Sequence, residues 1–149
     1  MKKLLCILFF CLLIISCQSQ KITDQQNDEN KATYFSGTWT FVQKNYIEGG
    51  ETKIFNLHKC MKQYEFIFKN KDQKTIMTKT FATGKDCKIK SKIDDFLITI
   101  TGGSFSYRED DFKKVEHYKI YSQNKFSIIY SDIINGKVTE IEDLYQRKK

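Results

Sequence analysis

The sequence predicts an all-β domain of about eight to ten short antiparallel strands. Three observations predict it. From Tyr34 onward apolar and polar residues alternate with a period of two. Turn-type clusters interrupt that alternation at short, regular intervals. Twelve Phe and eight Tyr stand beside no Pro, a balance that suits strands more than helices. At 149 residues there is room for one such domain. With 40% hydrophobic and 29% charged residues the composition is globular. Together these exclude a multidomain enzyme, a polytopic membrane protein and a repeat or collagen chain.

The first element is unlike the rest. Met1-Lys2-Lys3 is basic, and Leu4 to Ile15 is an unbroken apolar run of twelve. A membrane-spanning helix needs roughly 20 such residues, so the run matches the apolar stretch of a secretory signal instead. It leads into Ile14-Ile15-Ser16-Cys17, which resembles the lipobox of bacterial lipoproteins, where a small residue precedes a cysteine that is lipidated and becomes the new N-terminus. Leu is more usual where Ile14 stands. The resemblance implies a signal peptide at residues 1–16, a diacylglycerol on the Cys17 sulfur and commonly an acyl chain, palmitate for instance, on its amine. One chain binds a membrane only marginally, whereas two or more anchor stably. The other reading is an ordinary signal peptide cut elsewhere, with Cys17 an incidental thiol. Loss of Lys2 and Lys3 would lower the net charge from +7 to +5.

Gln18 to Lys31 contains one apolar residue, Ile22, so nothing there offsets the entropy of ordering. Residues 17–33 therefore read as a tether, spanning on the order of 20 Å, before a domain at 34–149.

The strands follow. Gly37-Thr38-Trp39 starts the first, which Glu48-Gly49-Gly50-Glu51 ends. Tyr64, Phe66 and Phe68 share one side of the next clear strand, bounded by Asn70-Lys71-Asp72. After Thr83-Gly84-Lys85, the residues Cys87, Ile89, Ser91 and Ile93 alternate with Lys88, Lys90 and Lys92. Asp94-Asp95 reads as a turn, and Phe96, Ile98 and Ile100 form a new strand up to Gly102-Gly103. The one candidate helix lies near Asp110 to Val115. Phe126, Ile128 and Tyr130 alternate with Ser127, Ile129 and Ser131, and Asn135-Gly136 is the strongest hairpin signal in the chain. The inward set is Tyr64, Phe66, Phe68, Phe96, Ile98, Tyr118, Ile120, Phe126, Ile128 and Tyr130.

Cysteine arithmetic places the domain in a compartment. Cys6 and Cys11 leave with the signal and Cys17 is assigned to lipid. Cys60 and Cys87 remain, and in an exported domain an even remainder reads as one disulfide. Its rival is a zinc site of Cys60, Cys87, His58 and His117, although the paired short spacings of a zinc finger are absent.

A long meander of aromatic strands leaves exposed edges unless it closes on itself, which favours a barrel. Gly37-Thr38-Trp39 resembles the Gly-x-Trp motif of lipocalins and their bacterial lipocalin-like relatives. In that family the Trp plugs one end of an up-and-down (calycin) barrel beneath an Arg near the end of the last strand. The resemblance implies those barrel-closing roles for Gly37, Trp39 and Arg147, and covers Tyr34 to Lys149. It looks closest to the short lipocalin-like lipoproteins of Gram-negative bacteria, which often carry a Cys pair disposed like Cys60 and Cys87. The family's longer motifs in later loops are not visible.

Catalytic motifs are missing: no Gly-x-Ser-x-Gly, no His-Glu-x-x-His, no P-loop and no dinucleotide glycine pattern. His117 shares a strand face with Val115 and Tyr121, the place of a wall residue. Glu109-Asp110-Asp111 lacks the spacing and glycine of a calcium loop. The sequence therefore predicts a non-enzymatic protein with no cofactor and no metal. Lys88, Lys90 and Lys92 read as a solvated face or as contacts to anionic headgroups, and export removes nucleic acid as a partner.

Two functions remain. In the first the barrel binds a small hydrophobic ligand or lipid, lined by Tyr64, Phe66, Phe68, Phe96, Tyr118, Phe126 and Tyr130. In the second those side chains fill the barrel, and loops such as Glu48–Glu51 and Gly102–Asp111 engage an envelope or host protein. An aromatic stripe looks the same in both cases. The expected location is the periplasmic face of the outer membrane, with surface exposure the alternative.

Overall fold

A computed structural model describes residues 31–149, apart from the side chain of Asp94. The expected signal peptide at 1–16, the expected lipidation of Cys17 and the expected tether as far as residue 30 lie outside the described residues. A short helical segment at 31–35 leads into nine strands. These are β1 (Gly37–Glu48), β2 (Glu51–Phe55), β3 (Glu65–Lys71), β4 (Lys74–Thr83), β5 (Ile89–Thr101), β6 (Ser104–Glu109), β7 (Phe112–Ser122), β8 (Lys125–Ile134) and β9 (Lys137–Arg147), with a 3₁₀ turn at Met61–Gln63.

Every pairing is antiparallel, and from β3 to β9 neighbours in the sheet are neighbours in the chain. β1 closes the ring by pairing with β3 along Gly37–Thr40 and with β9 from Trp39 to Tyr46. Eight strands thus form a closed up-and-down barrel, consistent with a lipocalin-like fold, and β2 hangs on the far half of β1. Closure removes the edges that a flat meander would expose.

Local chemistry explains the turns. Asn135 and Gly136 both take positive φ, 52° and 75°, the conformation that a two-residue hairpin needs. The β3–β4 turn falls on Asp72 and Gln73, at φ 50° and 60°, so it lies slightly later than the expected Asn70–Asp72 cluster.

Three expectations need correction. Asp94-Asp95 is not a turn, because β5 runs unbroken from Ile89 to Thr101. A register shift opposite Met77 and Lys79 places a bulge there, and the bulge absorbs the slip in phase between Ile93 and Phe96. The helix near Asp110–Val115 is absent: Asp110, at φ 53°, turns the chain from β6 into β7. Gly102–Asp111 is mostly strand β6 rather than a free loop.

Packing follows from the alternation. Trp39, Phe41, Phe66, Phe68, Met77, Phe96, Ile98, Phe105, Tyr107, Phe126, Ile128 and Tyr145 point to the axis and form one core. Ile120 does not join them: it is 42% exposed, beside a register shift where β7 meets β8.

Candidate functional site

The two ends of the barrel differ. At the end where β1 begins, the helical segment at 31–35 inserts Phe35 as a plug. Its ring meets those of Phe68, Phe105, Tyr118 and Phe126 at centroid distances between 4.9 and 6.0 Å, mostly edge-on. Trp39 sits beside it, donating its indole N–H to the Phe35 carbonyl at 2.7 Å. Arg147 pairs with Trp39 across β1 and β9, and its guanidinium carbon lies 4.1 Å from the ring centroid. The same guanidinium donates to the Ser36 and Tyr34 carbonyls. Gly37 has φ 119°, and a Cβ there would meet Arg147 Nη1 at 3.0 Å, so glycine is the residue that admits the arginine. This end is filled.

The other end is the mouth, where the interior changes character. After a bulge between Phe41 and Gln43, β1 turns Lys44 inward opposite Asp143. Lys79 follows Met77 on β4 and faces Phe66. Glu116 faces Phe105, and Tyr130 follows Ile128. Two polar groupings result.

The first is an ion pair. Lys44 Nζ lies 2.9 Å from Asp143 Oδ1, with both side chains about 15% exposed. Tyr130 accepts from Lys44 and donates to Asp143 Oδ2 at 3.2 Å. Burial pulls the Lys44 ammonium down, but its bonds to Tyr130 and Asp143 outweigh this and hold it above its usual range. Burial pushes the Asp143 carboxyl up, and Lys44 offsets only part of that. The two directions compete, and the 2.9 Å contact favours the ionised pair at neutral pH.

The second grouping is less balanced. Lys79 Nζ lies over the rings of Tyr107, Phe96 and Phe66, at 4.5, 5.7 and 6.0 Å from their centroids. It donates to the Tyr107 hydroxyl, which in turn donates to Glu116 Oε1 at 2.8 Å. Burial lowers the Lys79 pKa, with Glu109 and Glu116 only partly opposing. Burial and the neighbouring Glu116 push the Tyr107 phenol far up.

Two clefts reach this half. One, of about 350 Å³, opens between the β1–β2 and β8–β9 hairpins and is lined by Tyr46, Ile47, Ile134, Lys137 and Val138 among others. The other, of about 390 Å³, lies where β5 and β6 part after three paired positions, Thr99 to Thr101. Phe96, Leu97, Tyr107, Arg108 and Lys113 line it.

The disulfide is present. Cys60, beside the 3₁₀ turn, bonds Cys87 in the β4–β5 connection, with Cα atoms 5.0 Å apart. His58 lies close enough to complete a three-ligand cluster with the two sulfurs. Those sulfurs are bonded to each other, however, and His58 Nδ1 accepts the Cys60 N–H at 3.3 Å. His117 stands exposed on the outer face of β7.

Of the sequence-proposed lining, Phe66, Phe68, Phe96 and Phe126 are core, and Tyr64, Tyr118 and Tyr130 pack partly buried against it. Phe68, Phe126 and Tyr118 belong to the filled end, whereas Phe66, Phe96 and Tyr130 reach the mouth half. Tyr64 meets Phe81 edge-on at 4.9 Å. Sequence reasoning missed Lys44, Lys79, Tyr107, Glu116 and Asp143. The alternations Met77–Lys79–Phe81 and Ile141–Asp143–Tyr145 carry the signal for two of them. No protein-family model matches the chain, and no curated protein matches it either.

Proposed function

We propose that this protein is a lipid-anchored, non-enzymatic envelope protein whose barrel binds one small hydrophobic ligand or lipid in its mouth half. One observation carries the binding reading: above a filled aromatic floor, the interior combines ring faces with a few convergent polar groups of perturbed acidity. That combination is the usual signature of a small-molecule site. An eight-stranded barrel is also of the width that holds either its own side chains or one small ligand. The anchor rests on the Ser16-Cys17 pattern and the basic, apolar start of the chain. The non-enzymatic reading rests on the placement of the two histidines, one bonded to backbone and one on the outer wall.

A second reading draws on the filled floor and on the apolar residues exposed near the mouth, where Ile54, Ile133 and Val138 are 68%, 66% and 76% accessible. There the barrel is a scaffold and the hairpins engage an envelope protein.

Native mass spectrometry of the full chain extracted from membranes separates the two. A single co-purifying apolar molecule, displaced stoichiometrically by a fluorescent amphiphile, supports the binding reading. An empty barrel that displaces no dye but retains an envelope protein overturns it in favour of the second. The same spectrum shows whether Cys17 carries acyl chains, and an unmodified Cys17 ends the anchoring reading.

A further inference from the structure

The segment that precedes β1 enters the fold at the filled end and reaches all three hairpin turns there. Asn70, before the β3–β4 turn, donates to the Ala32 carbonyl at 3.2 Å. A Cβ on Gly102, in the β5–β6 turn, would stand 3.6 Å from Lys31 Nζ. Tyr34 donates to the carbonyls of Ser122 and Lys125, which flank the β7–β8 turn, at 2.8 and 3.1 Å. Only residues 18–30 separate this segment from Cys17, so on the anchoring reading this is the end held near the bilayer.

Charge is divided between the two ends of the barrel. The hairpin turns with their flanking residues, the entering segment and the chain after β9 give the filled end Lys31, Lys71, Lys74, Lys125, Lys148 and Lys149 against Asp72. The hairpin turns at the mouth, with their flanking residues, carry Glu48, Glu51, Asp86, Glu109, Asp110 and Asp111 against Lys85, Lys88 and Lys137. At the filled end Lys148 is paired with Glu65 at 2.9 Å. Lys71, Lys74 and Lys125 are exposed, and among the described residues no carboxylate lies at ion-pair distance from them. Lys71 and Lys74 stand directly opposite one another across β3 and β4, an arrangement that costs stability between like charges. Beside them a cleft of about 280 Å³ opens between the entering segment and the β3–β4 turn, walled by Thr33, Gln73 and Lys74 among others.

We propose that the filled end is the face the domain lays on an anionic lipid surface, with head-group phosphates taken between Lys71 and Lys74 and in the cleft beside them. An anion placed there relieves the repulsion of the opposed lysines, and each lysine near such a surface adds roughly a fivefold preference. The anchor adds to this by holding head groups at high local concentration. The mouth then opens away from the bilayer. Lys88, Lys90 and Lys92 stand at the mouth end, where β5 begins, and take no part. This inference rests on the anchoring reading above and adds the orientation of the barrel.

The test uses the full chain as cells process it, placed on vesicles of phosphatidylcholine alone or of phosphatidylethanolamine with phosphatidylglycerol. Labelling by an amine-reactive ester, read lysine by lysine in a mass spectrometer, reports which face is covered. On the anionic vesicles Lys71, Lys74 and Lys125 should label several-fold more slowly than on the neutral ones, while Lys88, Lys90 and Lys92 keep their rate. High salt should remove the difference. Lys71→Gln with Lys74→Gln should lower the docked population about fivefold per lysine and return Lys125 to its rate on neutral vesicles. Lys88→Gln, Lys90→Gln and Lys92→Gln together remove more charge and should leave Lys125 protected. Melting curves confirm that each variant is folded. Equal labelling on both kinds of vesicle overturns the inference, as does slowing at Lys88, Lys90 and Lys92 instead, or protection of Lys125 that survives loss of Lys71 and Lys74. The same spectra report Cys17. An acylated Cys17 with the three lysines unprotected overturns the inference and leaves the anchoring reading standing. An unmodified Cys17 with the three lysines protected ends the anchoring reading and supports the basic face as the membrane contact.

Discussion

Arg147 shows how much one side chain can hold. Its plane covers Trp39, its two terminal nitrogens bind the Tyr34 and Ser36 carbonyls, and Nε reaches the Gln123 carbonyl at 3.3 Å. It thereby ties the helical segment at 31–35, β1 and the β7–β8 turn together. Arg147→Ala should destabilise the barrel by about 2–4 kcal/mol, from a lost cation–π contact and carbonyls left without donors. Arg147→Lys should recover little, because an ammonium lacks the planar fork that serves two carbonyls while stacking. Urea denaturation of the three proteins measures both. The residues of this end were legible in the sequence because Gly37-Thr38-Trp39 is a local pattern. Lys79 and Asp143 were not. A charged residue within an apolar alternation is ordinarily read as marking the solvent face, and only cross-strand register shows that these two point inward.

At the scale of elements, β5 carries the clearest lesson. Its two halves read as two strands because the apolar positions change parity between Ile93 and Phe96. A turn and a bulge both produce that slip, and two adjacent aspartates suit either. What selects the bulge is β4, whose unbroken run from Thr75 to Thr83 pairs with both halves. The Asp110–Val115 misreading has a similar cause: six residues are too few for a period to declare itself against the pairing of β7 with β6. The disulfide joins elements that the sheet does not, holding the turn at Met61–Gln63 to the β4–β5 hairpin. With a sequence separation of 27 residues, replacing Cys60 and Cys87 by Ser should lower stability by roughly 3.5 kcal/mol in the chain-entropy account. The barrel strands should keep their amide protection against exchange, while Leu57 to Gln63 and Thr83 to Lys88 lose theirs. An unchanged urea midpoint would show that the bridge is not what holds the mouth.

For the whole molecule, closure matters most, and its tyrosines report it. Burial raises the phenols of Tyr107, Tyr130 and Tyr145 inside the barrel, and of Tyr34 and Tyr121 outside its core. Tyr34 rises from 10.0 to about 12. A phenol whose pKa is higher in the folded state binds its proton more tightly there. Its contribution to stability is therefore complete below the ordinary value of 10.0 and is lost as pH climbs toward about 12. An alkaline titration followed by phenolate absorbance should show Tyr107, Tyr130 and Tyr145 ionising late and together with loss of tertiary signal. Smooth ionisation of every tyrosine near the ordinary value, in a protein still folded, would contradict the buried placement.

The sequence alone determined the class of the fold, because period-two alternation, turn chemistry and the count of cysteines are local or additive properties. It favoured the Cys60–Cys87 bridge over a zinc site only on the expectation that Cys6, Cys11 and Cys17 are used elsewhere, and the structure shows the bridge. What only the tertiary structure decided is which charges face the axis, and that Phe35 joins Trp39 and Arg147 in filling one end. The bulge in β1 turns Lys44 inward, whereas Lys79 and Asp143 keep the phase of Met77 and Tyr145, which only the pairing with neighbouring strands shows to face the axis. A bulge is chosen by the neighbouring strand rather than by the residues that form it.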